Sequence, residues 1–132
     1  MLNKKSPLRR QGKSETAQTK QLIPTENQEA EAFADYLRAK RLTFTHIVNE
    51  AQTKSWGAIM RAKRMGKARG VPDYMILVNN RIVFVELKRQ KGSVVSPEQQ
   101  EWIEQLRQCG AVAEICRGAN EAIKLIESIK KQ

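Results

Sequence analysis

Three side chains that could bind a metal and cleave a phosphodiester fall at the ends of two adjoining segments with β-strand patterning. Asp73 begins the first segment, and Glu86 and Lys88 end the second. The intervening Asn79 and Asn80 suit a two-residue hairpin turn, which would place Asp73 directly opposite Glu86. Two carboxylates side by side repel each other unless a divalent cation bridges them. The spacing therefore indicates a cation site, beside which the Lys88 ammonium could orient a water or stabilise developing charge.

The second strand, residues 81–88, changes character along one face. That face begins with Ile82 and Phe84 and ends with Glu86 and Lys88. Burying a carboxylate in a central strand is costly unless a partner or a cation compensates for the lost hydration. A purely structural interpretation is an ion pair between Glu86 and Lys88, with Asp73 as a turn residue. The three residues together, next to a basic segment, favour chemistry instead.

Positive charge is concentrated in two places. The chain carries a net charge of +10; residues 1–24 have an excess of five positive charges and residues 54–69 an excess of six. Such clustering favours a polyanionic partner, because neutralised phosphates release counterions, although a solubilising tail and a solvated loop would also explain it. The candidate DNA-contacting residues are Lys54, Arg61, Lys63, Arg64, Lys67, Arg69, Arg89 and Lys91.

Hydrophobic spacing and capping residues predict the elements that must position these groups. Ser96 and Gln99 form a capping box at the start of a helix whose Trp102, Ile103 and Leu106 should face the core, and Gly110 should end it. The other predicted elements are a helix over 26–40, a strand over 42–48, a short helix around 58–65, strands over 74–78, 81–88 and 111–116, and a helix over 119–130. This order, α-β-β-β-α-β-α with a basic connection over residues 51–70 after the first strand, predicts an α/β fold with a mixed sheet flanked by helices.

Length and composition set further bounds. The 132 residues suffice for one domain, which we expect over residues 24–132 behind a disordered basic tail over residues 1–23. There is no stretch of about 20 apolar residues to span a membrane, no apolar secretory signal and no CxxC pair. We therefore expect a cytoplasmic protein.

Two groups of residues resemble a known nuclease family. Gly70-Val71-Pro72-Asp73 followed by Glu86-Leu87-Lys88 resembles the PD-(D/E)XK nuclease signature. The following Ser96-Pro97-Glu98-Gln99, with Trp102 and Gly110, resembles its VRR-NUC branch, and the resemblance covers roughly residues 24–126. It implies a restriction-endonuclease-like core that cleaves DNA phosphodiesters with Mg²⁺ or Mn²⁺.

The resemblance also implies roles for individual residues. Asp73 and Glu86 would be the metal carboxylates, with the carbonyl of Leu87 as a further ligand. Lys88 would be the catalytic lysine. Gln99 would be the polar residue that the following helix supplies, although a capping box uses glutamine at this position without any catalysis.

A further acid is expected from the opening helix. Glu26 matches the family's first acid best, Glu29 lies one turn on, and Glu50, next to Asn49, ends the strand that follows this helix. All three stay open as metal ligands. The alternative for Glu26 is stabilisation of the helix dipole, and the alternative for Glu50 is a contact with metal-bound water or DNA.

Family resemblance further suggests branched DNA, especially four-way junctions, and a standalone phage or prophage protein. A junction needs two symmetric nicks, so a one-site domain predicts a C2 homodimer. The alternatives are a restriction-type or repair nuclease on linear or flap DNA, and a basic DNA-binding protein without catalysis.

Overall fold

Four strands form one mixed sheet in the computed structural model, which describes residues 22–48 and 55–132. Helices flank the sheet, which confirms the predicted fold class. In chain order the elements are α1 (Glu26–Ala39), β1 (Thr43–His46), α2 (Trp56–Arg64), β2 (Tyr74–Val78), β3 (Arg81–Lys88), α3 (Pro97–Gln108), β4 (Val112–Arg117) and α4 (Ala119–Lys130).

The sheet places β3 in its interior. The strand order is β1-β2-β3-β4, with antiparallel pairing up to β3 and parallel pairing between β3 and β4. Asn79 and Asn80 both have positive φ, 52° and 62°, as the tight hairpin turn requires. Beyond the end of β3, the Lys88 carbonyl accepts a hydrogen bond from the N–H of Gly118 at 2.8 Å. The acidic end of β3 is therefore held on both sides.

One face of the sheet carries the main hydrophobic core. Phe33 and Leu37 of α1 and Ile126 of α4 are fully buried against strand residues such as Ile76 and Val85. These positions recur every three or four residues in the helices and every second residue in the strands, as one-sided burial requires. The core thus fixes α1 and α4 on the same side.

Helix α3 covers the opposite face over β4. Ile103 and Ala113 are buried there, outside the main core. Trp102 and Leu106 were predicted to lie in the core with Ile103. Ile103 is buried, but Trp102 and Leu106 are only half-buried. Towards the hairpin turn, the same face leaves Leu77 and Ile82 about half exposed.

Several boundaries differ from the sequence prediction. Strand β1 ends at His46, two residues before the predicted end, although the N–H of Ile47 still donates to the carbonyl of its in-register neighbour Asp73 at 2.6 Å. Helix α2 begins two residues earlier than expected because Ser55 caps it, and β4 is displaced by one residue to 112–117. Residues 1–21, and with them nearly all of the predicted tail, lie outside the described residues. None of the described helices is long and apolar enough to cross a membrane.

Candidate active site

One end of the sheet brings together the last residues of β3, the residue before β2 and the first turn of α3. They bring together Asp73, Glu86, Lys88 and Gln99, which we call the acidic site. The hairpin register pairs Val78 with Arg81 and continues to Tyr74 and Val85, so the next position sets Asp73 beside Glu86. The juxtaposition expected from the sequence is thus present.

Asp73 accepts two backbone hydrogen bonds, and the segment before it packs on α3. Its Oδ2 accepts the N–H of Leu87 at 2.8 Å, and its carbonyl accepts the N–H of Ile47. Three residues earlier, Gly70 has φ +88°, and a Cβ there would lie 2.6–2.8 Å from backbone atoms of Glu98 and Gln99. Only glycine permits this approach, so the segment leading to Asp73 packs directly on the first turn of α3.

Glu86 is buried, and hydrogen bonds replace the lost hydration of only one of its two carboxylate oxygens. Its side chain is 3% exposed; Oε1 accepts the Nε2–H of Gln99 at 2.7 Å and lies 3.6 Å from the Lys88 Nζ. Oε2 has no hydrogen-bond partner among the described residues. Burial, reinforced by the nearby charge of Asp73, raises the pKa of Glu86 to about 8. Burial also raises the pKa of Asp73 above its usual range, although the Leu87 N–H opposes this.

Gln99 serves two structures at once. Its Oε1 accepts the N–H of Ser96 at 3.0 Å and its own N–H donates to the Ser96 Oγ, which completes the capping box. Its Nε2–H donates to Glu86. The capping contact therefore does not compete with the contact to Glu86, since each uses a different end of the amide.

The candidate acids of the opening helix occupy different surroundings. The exposed Glu26 lies close enough for its charge to contribute to the raised pKa of both Asp73 and Glu86. Glu29 is instead buried at 6% exposure, where it accepts hydrogen bonds from the N–H of Ala119 at 3.3 Å and from Gln90 at 3.1 Å.

The contacts of Glu29 are structural. Gly118, the N-cap residue of α4, has no side chain to cap the helix, so the Glu29 carboxylate takes this role from α1. A Cβ at Gly118 would lie 2.7 Å from the Glu29 Oε2. Glu26 therefore remains the candidate that faces the acidic site, while Glu50 lies outside the described residues.

The candidate DNA-contacting residues fall into two groups. Helix α2 and the turns after it leave five basic side chains exposed, without acidic residues in the same segment; these are Arg61, Lys63, Arg64, Lys67 and Arg69. Lys91 is exposed beyond β3, whereas Arg89 is half-buried and its Nε–H donates to the Pro24 carbonyl at 3.3 Å. Lys54 lies outside the described residues.

Two residues near the site carried no functional prediction. His46 lies exposed at the end of β1, with its ring 4.9 Å from that of Tyr74, and its charge lowers the pKa of Asp73. Arg117 pairs with Lys88 in register and donates hydrogen bonds to the carbonyls of Arg89 and Ser93. Only the strand register reveals either neighbour, because both are distant in sequence.

The side chains present fit a divalent cation. Across residues 22–48 and 55–132, no group of three or more His, Cys, Asp and Glu side chains is placed to hold a metal. The pair Asp73 and Glu86 nevertheless offers two carboxylates, and the unpartnered Glu86 Oε2 is the kind of buried oxygen that a cation would satisfy.

Two comparisons with known proteins found a match, one to a family and one to a fold. The family model of the VRR-NUC domain matches residues 13–120. A solved structure described as a VRR_NUC domain protein is similar with a TM-score of 0.66 and 24% sequence identity, covering 82% of this chain and 89% of that chain. At that identity the structural likeness shows a shared fold. No curated protein matches the chain.

Proposed function

We propose that this chain, which belongs to the VRR-NUC domain family, is a divalent-metal-dependent DNA endonuclease that cuts branched DNA such as four-way junctions. VRR-NUC domains are nuclease domains and generally use divalent metals. The observation that carries the proposal is the buried Glu86, whose Oε2 is without a partner in the described part of the chain while Asp73 lies beside it.

Each residue of the acidic site has a separate task in this proposal. Asp73, Glu86 and the Leu87 carbonyl hold Mg²⁺ or Mn²⁺, and Glu26 joins from α1. A bound cation supplies Lewis-acid activation of the phosphodiester and lowers the pKa of water. Gln99 fixes the Glu86 Oε1 and so leaves Oε2 available. The Lys88 ammonium, 3.6 Å from Glu86, orients water and stabilises charge developing on the phosphate.

The exposed basic side chains between Arg61 and Arg69 supply the affinity for DNA. They bind the phosphate backbone with an affinity that comes from counterion release. In the sequence they are followed at once by Gly70 and Asp73. Lys54, Arg89 and Lys91 extend this surface in the proposal. We place the nuclease domain over residues 24–132, with residues 1–23 as a basic tail, in the cytoplasm of a bacterial or phage-infected cell.

The test compares wild type with Asp73→Ala on a labelled four-way junction and a linear duplex of matched sequence. Each is incubated with Mg²⁺, Mn²⁺ or EDTA. We expect paired, metal-dependent nicks on the junction that are lost in Asp73→Ala while binding persists. Cutting of the linear duplex alone would retain the enzyme and overturn the branched substrate. Tight binding without cutting under any metal would leave only a DNA-binding protein.

Two symmetric nicks require two sites, so we propose a C2 homodimer. Light scattering of the protein with and without junction DNA measures its mass. A complex containing two chains per junction is expected, and one chain per junction would contradict the dimer.

A further inference from the structure

A cavity of about 220 Å³ lies beside the acidic site, between α3 and the end of the basic segment. Its lining residues, which define the flank cavity, are Arg69, Glu98, Glu101, Trp102 and Gln105. The last four are spaced at i, i+3, i+4 and i+7 and so form one face of α3. Because the Gly70 backbone abuts the first turn of α3, the flank cavity and the acidic site share that turn.

The polar groups of the flank cavity are largely unused by the fold. Across residues 22–48 and 55–132, the side chains of Arg69, Glu98 and Trp102 make no hydrogen bond or ion pair. Gln105 donates to the Glu101 Oε1 at 3.1 Å. An indole, a guanidinium and a carboxylate therefore converge on one space with their bonding capacity free.

This lining suits a nucleobase better than a phosphate. Two carboxylates repel a phosphate, but they accept hydrogen bonds from the amino groups of bases. The half-buried Trp102 offers an indole face, and stacking on an aromatic ring tolerates any base.

We propose that the flank cavity binds one unpaired nucleobase that carries an amino group (cytosine, adenine or guanine) in the DNA held at the acidic site. The inference rests on the proposed function and names the feature of the substrate that it selects. A paired base is stacked within the duplex and must be extruded at a cost, whereas a base at a branch or bulge is already free. The flank cavity thus favours interrupted duplexes over continuous ones.

Fluorescence of Trp102 tests the proposal directly. The chain has two tryptophans, so Trp56→Phe leaves Trp102 as the sole reporter. This protein is titrated in EDTA with a duplex carrying one unpaired cytosine, the same duplex with an unpaired thymine, and a fully paired duplex. We expect quenching by the unpaired cytosine, with affinity about 10-fold higher than for thymine. Equal titration curves for all three duplexes would overturn the proposal.

Variants of α3 assign the effect to the cavity. Glu98→Gln should remove the preference for cytosine over thymine, because Glu98 is the lining carboxylate without a partner among the described residues and an amide pairs with either an amino or a carbonyl group. Glu104→Gln is the matched control, since Glu104 is exposed on the same helix and does not line the cavity; it should keep the preference. An identical loss in both variants would contradict the assignment.

Stacking is tested separately, in the chain with Trp56 retained. Trp102→Leu should weaken binding to the unpaired-cytosine duplex about 10-fold and leave the fully paired duplex unaffected. Trp102→Phe should restore most of that binding, and circular dichroism checks that both variants fold. Unchanged binding in Trp102→Leu would overturn the stacking role.

The two proposals fail in different ways. Metal-dependent cutting by wild type without selective quenching of Trp102 would refute the nucleobase subsite and keep the nuclease. Selective quenching without cutting under any metal would refute the nuclease and keep the subsite.

Discussion

Helices α1 and α3 begin with the same motif and use it differently. Thr25 with Gln28 and Ser96 with Gln99 each form a complete capping box. The amide nitrogen of Gln99 continues to the buried Glu86 at 2.7 Å, whereas Gln28 is exposed. The difference shows that a capping box leaves one end of its glutamine free, and that the neighbouring carboxylate determines whether this end acquires a second role.

The largest effect on cleavage should come from replacing Glu86, which accepts the hydrogen bond of Gln99. Glu86→Gln should lower cleavage by at least ~10³-fold, because a neutral amide neither holds the cation nor completes the carboxylate pair. Above the raised pKa of Glu86, the same change should raise the free energy of unfolding of the metal-free protein by about 1 kcal/mol, because it removes a buried charge with an unpaired oxygen. Single-turnover cleavage and urea unfolding measure the two effects. A variant that is both inactive and less stable than wild type would contradict the predicted gain in stability.

Replacing each capping-box glutamine by alanine should affect cleavage at α3 but not at α1. Gln99→Ala should lower cleavage about 10–100-fold, the usual cost of losing a group that orients a metal-binding carboxylate. Gln28→Ala should leave cleavage unchanged and cost only capping stability. Cleavage rates of both variants, measured at saturating Mg²⁺, decide this. Equal losses would mean that Gln99 acts only as a cap.

Replacing glutamine by glutamate should sharpen the comparison. Gln99→Glu keeps an acceptor for the Ser96 N–H but sets a second carboxylate against Glu86, so we expect a loss of about 1–2 kcal/mol in unfolding free energy at pH 8. Gln28→Glu introduces an acid at an exposed helix N-terminus and should be neutral or slightly stabilising. Thermal unfolding at pH 8 compares the pair, and equal stability of the two variants would contradict the prediction.

The raised pKa of Glu86 predicts a pH dependence. Because the folded protein binds this proton more tightly than the unfolded chain, stability is greatest below the unfolded pKa near 4.5 and falls as the pH rises to about 8. Wild type and Gln28→Ala should show this fall in EDTA, and Glu86→Gln should show less of it. Urea unfolding between pH 5 and pH 8 measures it. A fall of equal size in Glu86→Gln would assign the titration to another group.

The smallest effect should come from the hydroxyl caps. Thr25→Ala and Ser96→Ala should each cost about 1 kcal/mol of stability. Only Ser96→Ala should also reduce cleavage, since Ser96 helps to orient Gln99. Thermal unfolding and cleavage rates distinguish the two.

Local signals in the sequence predicted much of the fold. Asn79 and Asn80 set the hairpin register, and with it the meeting of Asp73 and Glu86, because the positive φ of both residues specifies the turn. The predicted bounds of β2, β3 and α4 agree with the structure, because turn residues and hydrophobic spacing next to each element mark its ends. These features depend on residues that are close in the chain.

The choice between Glu26 and Glu29 could not be made from the sequence. Residues three apart lie on nearly the same helix face, so spacing does not separate them. Glu29 is drawn to the N–H of Ala119, 90 residues away. Likewise, nothing local distinguishes the half-buried Trp102 beside a cavity from a core tryptophan, since the distinction depends on Arg69 across the space.

The bond between the Lys88 carbonyl and Gly118 bears on the order in which the protein is made. Glu86 and Lys88 pair with Ile115 and Arg117, which leave the ribosome later. A nascent chain that ends soon after Lys88 has β3 as an open sheet edge, with Glu86 not yet enclosed by β4 or α3. Residues up to about 118 must therefore have left the ribosome before Asp73, Glu86 and Lys88 can take up the geometry of the acidic site, and a shorter chain carries these side chains without that geometry.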